Sequence, residues 1–251
     1  MHTNAVQSTT PGITDHNDVQ IFPSANEQSE VHISINMQNP NILVASANTY
    51  PGNYNQGRYV STNGGVTWSG SDILNINSPI LYGDPSTAID ANGNIYISTM
   101  IELDNGYYIT TSTNNGVSFG SFVQGITVVG GSFDKEMIAI DYIPSSPYRN
   151  NLYCAWTSFE TNETVNFNRS TNGGNSFTHS ITLKNGPGQG ANVQTGPNGE
   201  VYVCWADYGT GINATYPVSR KWSWVCAITG WRCNIQYCAS SCSLCWYPEN
   251  K

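Results

Sequence analysis

Four short stretches set about fifty residues apart put side chains that can do chemistry immediately before strand-like runs. They are Glu30, Asp84, the trio Asp134-Lys135-Glu136, and Gln189. If those runs line one channel, several carboxylates and a single lysine meet at its mouth. Such a group could bind sugar hydroxyls, a cation, or a cationic group on a partner. A carboxyl pair at the right separation could also serve as acid and base in glycoside hydrolysis. The same residues could instead anchor neighbouring sheets through backbone hydrogen bonds. The histidines, His2, His16, His32 and His179, show no spacing that suggests a metal site or a nucleophile's base, so neither metal nor cofactor is expected.

The elements that must position these residues are legible from an octet that occurs three times. Ser61-Thr-Asn-Gly-Gly-Val-Thr-Trp68 returns as Ser112-Thr-Asn-Asn-Gly-Val-Ser-Phe119 and as Ser170-Thr-Asn-Gly-Gly-Asn-Ser-Phe177. Each reads as a tight turn between strands. Asn63, Asn114 and Asn172 fold back onto the turn backbone, and Gly65, Gly116 and Gly174 take positive φ. Ser61, Ser112 and Ser170 open the turns, while Trp68, Phe119 and Phe177 plug them into a core. Three copies at one period make an internal repeat, and the octets are structural.

Between the octets the chain alternates as strands do. Val19–Phe22 reads as a short strand, and Ser29–Asn36, Ile42–Asn48 and Arg58–Val60 lead into the first octet. Pro85–Asp90, Asn94–Ser98 and Tyr107–Thr111 lead into the second; Glu136–Asp141, Asn151–Trp156 and Val165–Asn168 into the third. Ala191–Gln194 and Glu200–Trp205 begin a fourth unit. The expected class is all-β, with four-stranded antiparallel units repeated as blades of a propeller. Trp156 and Trp205 hold equivalent second-strand positions and are read as packing between blades, with a sugar-stacking platform as the other reading. Cys154 and Cys204 sit singly in strand-like runs and are read as buried apolar residues.

Composition narrows the function classes. The chain has 251 residues, a formal net charge of −8 and only 10% charged residues, so nucleic acid is excluded as a partner for want of a basic face. The acidic, lysine-poor composition suits an extracellular or cell-surface protein. No run is long and apolar enough to span a membrane, and residues 1–18 form a polar, flexible lead without the features of a secretory signal.

With these motifs assembled, residues 19–215 are read as a partial propeller, of which about residues 19–210 resemble the sialidase-like β-propellers, whose Asp boxes, or bacterial neuraminidase repeats, the octets match with Asn63, Asn114 and Asn172 where Asp is usual. Ser29-Glu30, Gly83-Asp-Pro85, Asp134-Lys-Glu136 and Val201–Asp207 extend the likeness. The resemblance implies an incomplete propeller of about three blades plus part of a fourth, with the residues before each first strand on the channel rim. It also implies, for sialidases, a clamp of three arginines on the substrate carboxylate, a Tyr nucleophile activated by Glu, and an Asp acid/base. The clamp cannot be assembled here: Gln20-Ile-Phe-Pro23 stands where an Arg is expected, Arg58 and Arg169 lie beside octets, Arg149 lies in a loop, and Arg220 and Arg232 lie near the end of the chain. The expected function is a secreted glycan- or protein-binding module, non-catalytic as it stands. The alternatives are a fragment of a glycoside hydrolase and a structural or adhesive repeat.

Residues 216–251 break the pattern. Trp222, Trp224, Trp231 and Trp246 crowd in with Cys226, Cys233, Cys238, Cys242 and Cys245, and no fourth octet appears. The cysteine spacing fits no zinc pattern and their number is odd. A disulfide-bonded tail, a hydrophobic terminal plug and an out-of-frame reading are the three accounts. The third is favoured, because shifting the codons of Lys221–Gln236 by one nucleotide permits a string containing Ser-x-Asp-Gly-Gly-x-Thr-Phe, in which the tryptophan codons force glycines with no choice. Unclosed sheet edges predict marginal stability and self-association.

Overall fold

The computed structural model describes residues 18–74, 81–101, 106–126, 132–159, 163–207, 222–229 and 232–236, the last two segments as backbone only. Four antiparallel four-stranded sheets follow one another along the chain. The first holds β1 (Gln28–Ile35), β2 (Leu43–Thr49), β3 (Asn55–Ser61) and β4 (Ser69–Ser71). The second holds β5 (Leu81–Ile89), β6 (Ile95–Ile101), β7 (Tyr107–Ser112) and β8 (Val123–Gln124). The third holds β9 (Phe133–Ile140), β10 (Leu152–Ser158), β11 (Thr164–Ser170) and β12 (Ile181–Lys184). The fourth begins with β13 (Gly188–Thr195) and β14 (Val201–Asp207), and the backbone of Trp222–Thr229 and Arg232–Gln236 adds β15 and β16. Strand order equals chain order in every sheet, the up-and-down meander of an incomplete propeller.

The cores lie between sheets. Val44, Val60, Leu81, Ile95 and Ile97 join the first to the second; Tyr107, Ile109, Ile138, Leu152 and Trp156 join the second to the third; Tyr153, Val165, Val193, Val203 and Trp205 join the third to the fourth. Inner strands are tied directly as well: Ser34 Oγ donates to Thr87 O at 2.8 Å, Ile138 N–H to Ser86 Oγ at 3.0 Å, and Thr195 Oγ1 to Ile140 O at 3.2 Å. β10, the second strand of the third sheet, is sandwiched on both faces by the neighbouring sheets, which is why all seven of its residues are buried.

All three octets adopt the same turn. Each serine Oγ accepts the glycine N–H at 2.9 Å and donates to the asparagine Oδ1 at 2.8–3.0 Å. That Oδ1 also accepts the N–H of Thr67, Ser118 or Ser176. Gly65, Gly116 and Gly174 have φ of 86°, 78° and 79°. Trp68, Phe119 and Phe177 are half-buried against three different cores.

Two sequence expectations are corrected. Val19–Phe22 is not a strand; Ile21 and Phe22 pack on Ala45, Ala47 and Tyr59 as an irregular plug on the first sheet, held by apolar contact and not by strand pairing. Cys154 is fully buried, but Cys204 is exposed. It shares with Tyr202 the outward face of β14, and the uncovered face of β1 matches it, with Val31, Ile33 and Ile35 at 76%, 53% and 43% exposure. Residues 1–17, Arg220, Trp231, Trp246, Cys238, Cys242 and Cys245 lie outside the described residues.

Candidate functional site

A bulge at the start of every inner strand builds the site. The pairing register slips between Ser29 and His32 in β1, between Gly83 and Ser86 in β5, opposite Ala155–Thr157 in β9, and between Gln189 and Asn192 in β13. In each slip one residue takes a left-handed conformation: Glu30 at φ 50°, Asp84 at 49°, Lys135 at 57° and Gly190 at 67°. Three of the four are non-glycine, a strain of about 1–2 kcal/mol each. Bulges re-aim side chains at the ends of strands, and here they turn one position per sheet onto a common rim.

The rim is a connected polar group. Lys135 Nζ meets Glu30 Oε2 at 3.0 Å, bridging the third sheet to the first across the second. Both side chains are 40–45% exposed, so the pair contributes at most about 1 kcal/mol to stability. Asp84 lies between them and hydrogen-bonds to Glu30 and Asp134; burial, then those two neighbours, push its carboxyl up to about 8. Glu30 is held below the usual carboxylate range by its hydrogen bond to Asp84 and by Lys135. At neutral pH the rim therefore presents a protonated Asp84 beside an ionised Glu30. Gln189 Nε2 donates to Asp134 Oδ2 at 3.0 Å and closes the group on the fourth sheet.

Five of the six residues expected at the mouth are thus brought together, and Glu136 is not. It follows the left-handed Lys135 and is turned inward, fully buried between the second and third sheets. Its structural counterparts, Val31, Pro85 and Ala191, are all apolar. Neither carboxyl oxygen has a hydrogen-bond partner, and burial pushes its pKa well up despite the nearness of Ser98. Trp156 and Trp205 are likewise buried in inter-sheet cores, as packing requires.

Sequence reading missed a second repeat. Asn36, Asp90 and Asp141 end three inner strands at the face opposite the rim, and each caps the following hairpin: Asn36 Oδ1 accepts Gln38 N–H, Asp90 Oδ1 accepts Asn92 and Asn94 N–H, and Asp141 Oδ1 accepts Ile143 N–H. Their even spacing was the available signal. It also missed Asp72, whose carboxylate accepts from Ser24, Asn26, Gln28 and Tyr59 and so pins the segment leading into Glu30.

The described arginine side chains, Arg58, Arg149 and Arg169, stay away from this rim. Arg58 Nη1 donates to Gly116 O at 3.2 Å and its guanidinium sits over Phe119. Arg149 is in the β9–β10 connection and Arg169 ends β11 beside the third octet.

No protein-family model and no curated protein sequence matches the chain. Solved structures do. The chain aligns with a Trypanosoma rangeli sialidase in complex with 2,3-difluorosialic acid at a TM-score of 0.55 and 14% identity, over 83% of this chain and 37% of that one. An α-L-arabinofuranosidase from Fusarium graminearum in complex with an iminosugar inhibitor aligns at 0.54 and 14%, over 86% and 68%. A Hadza microbial sialidase aligns at 0.53 and 11%, over 72% and 42%. The chain therefore has the sialidase-like β-propeller fold, and spans well under half the length of these two sialidases.

Proposed function

We propose that this chain is a glycan-binding propeller module, secreted or displayed at a cell surface, that takes a neutral saccharide at the rim formed by Glu30, Asp84, Asp134, Lys135 and Gln189. The observation that carries the reading is how the rim's charges are spent. Lys135 is engaged by Glu30, Asp84 is protonated, and none of the described arginine side chains, Arg58, Arg149 and Arg169, approaches, so the rim offers mixed donors and acceptors suited to hydroxyls and among the described residues has no guanidinium fork of the kind an acidic sugar needs. The fold's glycan-processing neighbours, a sialidase and an α-L-arabinofuranosidase among them, support a carbohydrate ligand. The octets serve as structural Asp-box turns, remote from the rim.

Titration calorimetry on the full chain tests this with neutral arabino-, xylo- and manno-oligosaccharides against sialyllactose. A neutral ligand should bind at least tenfold more tightly than sialyllactose, and Asp84→Ala should weaken it more than Asp84→Asn. Tighter binding of sialyllactose would overturn the reading.

A second reading, a glycoside hydrolase with Asp84 as general acid, draws on the protonated Asp84 beside ionised Glu30. Their direct hydrogen bond argues against it, because hydrolysis needs the two carboxyls about 5 Å apart or more. Turnover of an aryl glycoside abolished by Asp84→Asn would favour this reading; binding without turnover favours the first.

A further inference from the structure

Beside the rim lies a set of aromatic rings that no core uses. β2 ends with Thr49 paired to Gln28, and Asn48 Oδ1 accepts the N–H of Asp84 at 3.0 Å. That bond holds the end of β2 against the bulge of β5. A side chain at Gly83 would collide with Asn48 Oδ1 at 1.8 Å, and φ of +83° there also demands glycine, so the approach is fixed by backbone. The loop leaving β2 therefore starts at the rim, and it carries Tyr50 and Tyr54. Tyr82 arrives from the other side, two residues before Asp84.

The three rings form a chain across the first and second sheets. Tyr50 meets Tyr54 edge-on at 4.9 Å and 70°, and Tyr54 meets Tyr82 at 5.5 Å and 43°. Tyr54 is 50% exposed and Tyr82 44%, and none of the three belongs to an inter-sheet core. Large aromatics left open in this way are costly to the solvated surface unless something covers them, and a phenol ring suits a ligand with an apolar face and polar edges. A sugar ring is such a ligand: its C–H face lies on the π-cloud while its hydroxyls point outward to donors and acceptors. The neighbouring Glu30, Asp84 and Lys135 supply these.

We propose that Tyr54 and Tyr82, backed edge-on by Tyr50, form a stacking platform that seats one residue of a neutral saccharide chain whose next residue hydrogen-bonds to the Glu30–Asp84–Lys135 rim. The proposal rests on the rim's being a glycan site. It adds a second subsite, and with it a preference for oligosaccharides over single sugars.

The test titrates the full chain, and its Tyr54→Ala, Tyr82→Ala and Tyr54→Phe variants, with neutral arabinan, xylan and mannan pentasaccharides and the corresponding monosaccharides. On the pentasaccharide that binds, each alanine variant should weaken affinity about fivefold to tenfold, as the loss of one aromatic contact implies, while Tyr54→Phe stays within about twofold. Monosaccharide binding should be weaker than pentasaccharide binding in the wild type. Wild-type affinity retained by both alanine variants would overturn the platform and leave the rim reading intact. A lowered melting temperature with unchanged affinity would do the same, assigning the tyrosines to sheet packing. Wild-type chain that binds no pentasaccharide would overturn both.

Discussion

Replacing Glu136 by Met should stabilise the protein, an unusual outcome for a charged residue in a strand. The carboxyl is fully buried between the second and third sheets with both oxygens unpartnered, at a position where the other sheets carry Val31, Pro85 and Ala191. Leaving such a group without partners costs about 1–3 kcal/mol even when protonated. Met has nearly the same length and volume, so it leaves little cavity to offset the gain. A net gain of about 2 kcal/mol would raise the melting temperature by about 4–8 °C in a domain of this size. The pH dependence fixes the sign. Because the folded-state pKa is raised above the unfolded value of 4.5, the wild-type contribution is fully present below that value and is lost as pH rises through the folded pKa. The advantage of Glu136→Met should therefore grow as pH rises above 4.5, whereas Glu136→Gln should flatten the profile with a smaller gain. Thermal denaturation followed by circular dichroism at several pH values reads both effects. A variant less stable than wild type at neutral pH, or one with the same advantage at every pH, would refute the reasoning.

Further outcomes follow from the same geometry. Ser112→Ala and Ser170→Ala each strip a buried glycine N–H of its acceptor and should cost about 1–3 kcal/mol in urea unfolding, with the two values close because the turns are alike. Lys135→Met should change stability by less than about 1 kcal/mol, since its ion pair is largely exposed, but should raise the pKa of Glu30 measured by NMR titration. The wild-type chain should sediment with a concentration dependence that Ile33→Glu, by charging the uncovered face of β1, shifts toward monomer; a wild-type profile independent of concentration, or one that Ile33→Glu leaves unchanged, would count against that face as an association surface. The nucleotide sequence should reveal a one-base slip near Lys221, and an uninterrupted frame in relatives sharing residues 216–251 would exclude it.

The fold was legible because its signals are short-range. Ser61, Asn63 and Gly65 close a turn among themselves, so three copies announce the hairpins and the period without any knowledge of tertiary structure. The rim was legible in part for the same reason, since the repeat aligns Glu30, Asp84 and Lys135. What alternation could not give was the side each residue takes after a bulge. One extra residue at Lys135 reverses the pleat, and Glu136, written into the rim by its neighbours, ends in the core. Tyr82 was hidden for the converse reason: an aromatic in a strand reads as core, and only the three-dimensional fold leaves its ring 44% exposed. Cys204 shows the same limit, because its burial depends on a neighbouring sheet and not on its own strand.

The claim that the rim takes a neutral saccharide is tested most directly by a crystal structure of the full chain soaked with the best-binding neutral oligosaccharide. The account predicts one sugar residue stacked on Tyr54 and Tyr82 and the next with hydroxyls on Glu30, Asp84 and Lys135. A saccharide seated elsewhere, at the octet turns or in the cleft beside Arg58 and Phe119, would contradict it.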